Sequence, residues 1–285
     1  MAKVAVVADT TAGIPKDVLQ RYSIFMIPLH LIWGDKTYLD TVDIQPGEFY
    51  EKLAAADQLP TTSQPSPQAF VDIYSRLLGE GHDIISIHIS SKLSGTVDSA
   101  QQAKKMIGGD ARIEIIDSLT TGMEMGFHVL KAAEAARNGA TLEECKEIAL
   151  KLQKKSGIYF MVDTLEFLRR GGRIGGAAAF LGTILNLKPI LEIRDGRIEA
   201  VEKVRSQTKA LNRLLDLVEN AAQGKKIRQI AALHSNAIQT AQTLLDQACE
   251  RFQITSPQDR FLSDVSPVIG THTGPGCIGI AYLTD

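Results

Sequence analysis

Cysteine is scarce in this sequence. There are three, Cys145, Cys249 and Cys277, far apart, odd in number and without a CxxC pair. That speaks against a disulfide framework and a thiolate zinc site, and it fits a reducing compartment. Neither sign of charge is in excess: 31 Lys and Arg stand against 33 Asp and Glu, a formal charge of −2. A general nucleic-acid binder would carry a net basic surface, although a local basic patch stays open. Long apolar runs are missing too. The longest weakly polar stretch, Ile174 to Leu187, is shorter than the ~20 residues of a membrane-spanning helix. The N-terminal apolar run ends at Asp9 and is too short for a signal peptide. A cytoplasmic protein is expected. GxxxxGK[ST], GxSxG and HExxH are all absent, and no two of the six histidines are spaced i, i+4, so a P-loop nucleotide site or a zinc hydrolase has no direct support.

What is present is ordinary globular material, 44% hydrophobic and 22% charged in 285 residues, large for one core and comfortable for two. The first half alternates strands and helices. Lys3–Ala8 and Phe25–Ile32 read as strands, the second closed by Gly34-Asp35, and Asp83–Ile89 and Arg112–Ile116 follow. The intervening helices include one opened by Ser66-Pro67 and one by the capping box Thr141-Leu142-Glu143-Glu144. Strands separated by helices predict a parallel sheet with helices on its faces. The second half adds a hairpin at Asp195-Gly196, whose turn needs positive φ, which predicts a mixed sheet. The expected division is 1–156, an N-terminal α/β/α domain, and 157–285, a C-terminal α/β domain.

Four loops carry candidate chemistry. Pro60-Thr61-Thr62-Ser63-Gln64-Pro65-Ser66-Pro67 is either a stiff loop whose Ser66 caps a helix or an anion site of hydroxyls and free N–H groups. Ser90-Ser91-Lys92-Leu93-Ser94-Gly95-Thr96 follows a strand and opens a helix, the position where open α/β sheets bind ligands; Gly95 would let a ligand approach the backbone. Asp9-Thr10-Thr11 should share that rim. In Arg169-Arg170-Gly171-Gly172-Arg173 a helix C-terminus accounts for the first two arginines but not for Arg173, beyond the glycines. Thr271-His272-Thr273-Gly274-Pro275-Gly276 reads as a tight loop holding a histidine. The segment Ile174–Leu185 reads as a buried helix by itself, although its small residues leave room for something to pack there. An anion-binding rim joined to an apolar interior suits a carboxylate with a long tail. Burying a tail of about 16 carbons gives roughly 10 kcal/mol of gross driving force at ~0.8 kcal/mol per CH₂.

In this order the loops resemble the DegV family: Asp9-Thr10-Thr11, Thr62-Ser63-Gln64-Pro65, Ser91 to Thr96, Arg170-Gly171-Gly172-Arg173-Ile174, Val204-Arg205 and His272-Thr273-Gly274-Pro275-Gly276. The resemblance spans the chain and implies a two-domain fold of a parallel and a mixed sheet. It implies a fatty-acid-binding subunit of a bacterial fatty acid kinase, active in phospholipid metabolism and not itself an enzyme. Thr62 and Ser94 are then the carboxylate holders, with Ser63 and Gly95 nearby. His272, with Thr273 beside it, completes the head-group network. Arg173 stands at the mouth, binding ligand or meeting the partner. Arg170 and Arg205 belong to the surface that meets the kinase, and the tail runs between the domains beside Ala177–Leu185. No cofactor is implied here, because ATP and Mg²⁺ sit on the partner; transient membrane contact stays open, and nucleic acid is not expected. The competing readings are a stand-alone acyl hydrolase using Ser94 with His272 as base, and a regulatory protein binding DNA or a membrane surface.

Overall fold

The computed structural model describes residues 3–182 and 187–285. The chain runs β1 (Lys3–Asp9), α1 (Lys16–Tyr22), β2 (Phe25–Ile27), β3 (His30–Trp33), β4 (Lys36–Leu39), α2 (Pro46–Ala54), β5 (Thr61–Ser63), α3 (Pro67–Gly79), β6 (His82–His88), α4 (Thr96–Ile107), β7 (Ile113–Asp117), α5 (Gly122–Arg137) and α6 (Leu142–Leu152). It continues β8 (Ser156–Met161), α7 (Glu166–Arg170), β9 (Lys188–Arg194), β10 (Arg197–Val204), α8 (Gln207–Ala222), β11 (Ile227–His234), α9 (Ile238–Phe252), β12 (Arg260–Asp264), α10 (Pro267–Thr273) and β13 (Ile278–Thr284).

Two main sheets follow. The first, ordered β2-β1-β6-β7, is wholly parallel. The second, β10-β9-β8-β13-β11-β12, is antiparallel except for its last pair. Alternation of side chains along a strand explains the layering. In β1, Ala5 and Val7 pack against α3 and α4, while Val6 and Ala8 face α5. A strand buried on both faces needs this nearly continuous apolar run. In β8 and β13, Met161, Ile278 and Ile280 face α8 and α9, while Ile158 and Ala281 join Val6 and Ala8 in one cluster around α5. The order of layers is therefore α3/α4, parallel sheet, α5/α6, mixed sheet, α8/α9. The two sheets share the central helical layer, and the largest apolar cluster crosses position 156. Among the described residues no helix is long and apolar enough to cross a membrane.

Several local expectations hold. Thr141 and Glu144 form the capping box, Ser66 caps α3, and Asp195 and Gly196 turn the hairpin with φ of 50° and 79°. Others need correction. Phe25–Ile32 is two strands, not one. Pro28 has no N–H to give a ladder; before it β2 pairs with β1, and after it β3 leaves for a small antiparallel sheet, β4-β3-β5. Gly34-Asp35 is the turn of that sheet, and Thr61–Ser63, expected as loop, is its edge strand. Ile174–Leu185 is not one buried helix. Gly175–Phe180 forms 3₁₀ turns in which only Ala177 is buried, and Thr183–Leu185 fall outside the described residues. The small residues here allow contact with β10: a Cβ on Gly175 would lie 2.3 Å from the Ile198 carbonyl oxygen.

Candidate functional site

The parallel strands end where the central layer opens. Thr11 and Gly13 after β1, Ile89, Leu93 and Ser94 after β6, and Thr121 and Gly122 at the start of α5 border a cavity that is open to solvent, with about 1000 Å³ of atom-free space when its mouth is included. The opposite wall is the mixed sheet, contributing Ile158, Phe160, Ile193, Ile198, Leu233 and Gly279. The small sheet and α10 close the remaining side through Leu29, Thr62, Ser63, Gln64, Val268, Ile269 and His272. Most of this lining is hydrocarbon.

The polar groups gather where halves distant in sequence meet. Thr62 Oγ1 lies 2.9 Å from His272 Nε2. The other ring nitrogen, Nδ1, is buried without a partner and abuts Gly171. Burial, and secondarily the charge of Arg173, pulls the His272 pKa down to about 4, so the ring is neutral at pH 7. One nitrogen then carries hydrogen, and placing it on Nε2 leaves no buried N–H unpaired. Nε2–H donates to Thr62, and the Thr62 hydroxyl is free to donate to an anion. Nearby, Ser94 Oγ pairs with Thr96 Oγ1 at 2.9 Å ahead of α4. Arg173 crosses between the halves: its Nε donates to the Leu93 carbonyl at 3.2 Å and its Nη1 to the Gly171 carbonyl at 2.7 Å. The result is hydroxyls and a guanidinium at one end of an apolar cavity, suited to an amphiphilic anion.

Of the residues singled out from the sequence, Thr62, Ser63, Ser94, Arg173, His272 and Thr273 border the cavity, as does Thr11. The Thr273 hydroxyl donates back to the Ile269 carbonyl. Gly95 stands one layer behind: a Cβ there would meet the Gln64 amide at 3.1 Å, so its missing side chain makes room for Gln64. Arg170 is exposed and ion-paired with Glu166 at 2.6 Å, and Arg205 is exposed after β10. None of residues 174–182 borders the cavity, so that part of the expected tail path is not the wall. His272 is on the last turn of α10 and not in a loop. Ser94 pairs with Thr96 and His272 with Thr62, so the nucleophile–base contact of a serine hydrolase is not made.

The support of α10 escapes a motif search. Asp40, buried in the junction, accepts from Thr10 Oγ1 at 2.6 Å and from the Val268 N–H at 3.1 Å. Burial drives its pKa up to about 6 despite these donors. Tyr50, also buried, reaches Ser235 Oγ at 2.9 Å and the Val265 carbonyl at 3.0 Å. Its single proton serves the carbonyl while the serine donates to it. Tyr50→Phe is expected to lower the unfolding free energy by about 1–2 kcal/mol, read by urea denaturation, because a buried acceptor loses its donor; a change below about 0.3 kcal/mol would show the hydroxyl to be dispensable.

Known proteins resemble this chain in sequence and fold. A family model described as "Uncharacterised protein, DegV family" matches residues 3–285. Protein DegV of Bacillus subtilis is 38% identical over 284 residues, 98% of each chain. A DegV domain-containing protein of Clostridium perfringens is 37% identical over 285 residues, 99% of each. A solved structure described as fatty acid binding of a DegV family protein from Thermus thermophilus superposes with a TM-score of 0.91 at 35% identity, over 99% of this chain and 100% of that one. Another, of DegV, a fatty acid binding protein from Bacillus subtilis, gives 0.88 at 36% identity over the whole of both chains. The chain belongs to the DegV family.

Proposed function

We propose that this protein binds one long-chain fatty acid in the cavity and presents its carboxylate to a partner kinase, which phosphorylates it with ATP to an acyl phosphate. The observation that carries the reading is the polarity of the cavity: hydrocarbon on most walls, with Thr62, His272, Arg173 and the Leu93-Ser94 loop brought together by contacts between the halves. Fatty acid binding in the Thermus thermophilus and Bacillus subtilis relatives supports it. Thr62 and Ser94 donate to the carboxylate, with Ser63 beside them, and neutral His272 keeps Thr62 turned as a donor. Arg173 meets the charge at the mouth, and Arg170 and Arg205 offer the partner a basic surface. The phosphoryl donor and its metal belong to the partner. A carrier of this kind keeps the tail dry while leaving the reacting oxygen reachable.

Solvent extraction of the purified protein, followed by mass spectrometry, is expected to release one long-chain fatty acid per chain; an empty extract from a folded protein would sink the reading. Thr62→Val combined with Ser94→Ala is expected to weaken fatty-acid retention by about tenfold or more, since two donors to a charged group are lost. Arg173→Ala is expected to lower phosphorylation with partner kinase and ATP by about tenfold or more, with retention changed little. Equal losses of binding and phosphorylation would instead make Arg173 a retention residue.

A further inference from the structure

Every residue of β13 is buried, and in its interior stands Gly279, where a glycine weakens a strand unless something approaches closely. In the mixed sheet Gly279 pairs with Leu233 on one side and Phe160 on the other. Residues paired in this way share a face, and both neighbours border the cavity. A Cβ built on Gly279 would stand 3.1 Å from Phe160 Cβ and 3.8 Å from Leu233 Cβ. It would project from the cavity wall between them. On the same face, Cys277 just before β13 borders the cavity, whereas Ala281 within it lies in the packed core. Phe160 and Cys277 share an apolar cluster with Leu168 of α7, the helix whose terminal Gly171 abuts His272. Leu233 belongs to a separate cluster, the one under α5. Gly279 joins the two regions.

We propose that Gly279 is the passage by which the acyl tail reaches the inner part of the cavity, and that its missing side chain sets the tail length the protein accepts. This rests on the fatty-acid reading above and adds to it a residue that selects among fatty acids. A side chain at 279 fills the passage and confines the ligand to shorter acids, because each methylene that can no longer be buried forfeits about fourfold in affinity. A smaller residue at 233 widens the inner end and acts in the opposite direction.

The test measures binding of decanoic, palmitic and stearic acids to delipidated wild-type, Gly279→Val and Leu233→Ala proteins by isothermal titration. Gly279→Val is expected to lose palmitate affinity by on the order of 50-fold, about three methylenes' worth, while decanoate changes by less than about threefold, which also reports an intact fold and head-group end. Leu233→Ala is expected to raise the stearate-to-palmitate ratio and stays informative if the valine variant does not fold. An unchanged palmitate-to-decanoate ratio in folded Gly279→Val, or an unchanged stearate-to-palmitate ratio in Leu233→Ala should the valine not fold, overturns the role of Gly279 and leaves fatty acid binding standing. A wild-type protein that takes up none of the three acids removes the fatty-acid reading itself, and the role of Gly279 with it.

Discussion

Glu124→Gln should gain stability relative to the wild type as pH rises from about 5 to 8. Glu124 is buried in the central layer, on the first turn of α5. Its Oε2 accepts from Thr120 Oγ1 at 2.5 Å, and its Oε1 lies 3.0 Å from Ser156 Oγ. Ser156 Oγ is also 3.0 Å from the Leu152 carbonyl and 2.8 Å from His128 Nε2. A hydroxyl has one proton and two lone pairs. All three Ser156 contacts become hydrogen bonds at once if Ser156 donates to Leu152, His128 donates through Nε2, and Glu124 donates through a protonated Oε1. The unpartnered His128 Nδ1 is then a bare lone pair. Burial agrees, pushing the Glu124 pKa up to about 7 and pulling the His128 pKa down to about 4.

The sign of the effect follows from proton binding. Between the ordinary 4.5 and about 7, the folded state holds a proton on Glu124 that the unfolded state has released, so the contribution of Glu124 to stability declines with pH across that window. The full decline is on the order of 3 kcal/mol, at 1.36 kcal/mol per pKa unit. Asp40, raised from 3.8 to about 6, contributes a decline of the same sign at lower pH, while His128 and His272, pulled down to about 4 from their ordinary 6.5, contribute a rise below that value, so the part due to Glu124 is read as the difference between variant and wild type. Glutamine reproduces the protonated acid, with its amide donating to Ser156 and its carbonyl accepting from Thr120. Glu124→Gln should therefore be more stable than wild type at pH 8 and nearly equal to it at pH 5, as read by denaturant unfolding at both values. Equal destabilisation at both would mean that Glu124 is held as a charged group.

The sequence shows part of this arrangement and hides the rest for definable reasons. The rim at the ends of β1 and β6 is legible, because a strand-ending Asp-Thr-Thr or a Ser/Gly loop before a helix is a local pattern. The pairing of Thr62 with His272 is not local: it needs β5 laid against β3 and α10 set behind it by Asp40. His272 looks like a loop residue because Thr-Gly-Pro-Gly follows it, yet Ser266 and Pro267, a cap and a first-turn proline, mark a short helix just upstream. Gly175 and Gly176 suggest space for a ligand, but tight contact of backbone with β10 asks for glycine equally. Glu124 had a readable signal. A lone acid in the apolar run Gly-Met-Glu-Met-Gly-Phe, with His128 one turn later, is a buried polar pair on one helix face.

Gly171→Ala should disable the head-group end as thoroughly as His272→Ala. Gly171 ends α7 with φ of −72° and ψ of −10°, a conformation alanine adopts freely, so backbone strain plays no part. A Cβ there would lie 2.1 Å from His272 Nδ1 and 2.8 Å from Cε1. The ring has to leave its place, which separates Nε2 from Thr62, or α7 has to move away from α10. Overpacking of this kind costs about 1–3 kcal/mol. Because the clash is with one ring, removing the ring should restore what the methyl takes away. The double variant Gly171→Ala/His272→Ala should be about as stable as His272→Ala alone, with a coupling energy of about 1 kcal/mol or more in a double-mutant cycle. With partner kinase and ATP, the two single variants should lose phosphorylation of bound fatty acid to a similar extent. Additive stability losses would place the damage in the α7 backbone, and undiminished phosphorylation in Gly171→Ala would show that the bond between His272 and Thr62 is not needed for presentation of the carboxylate.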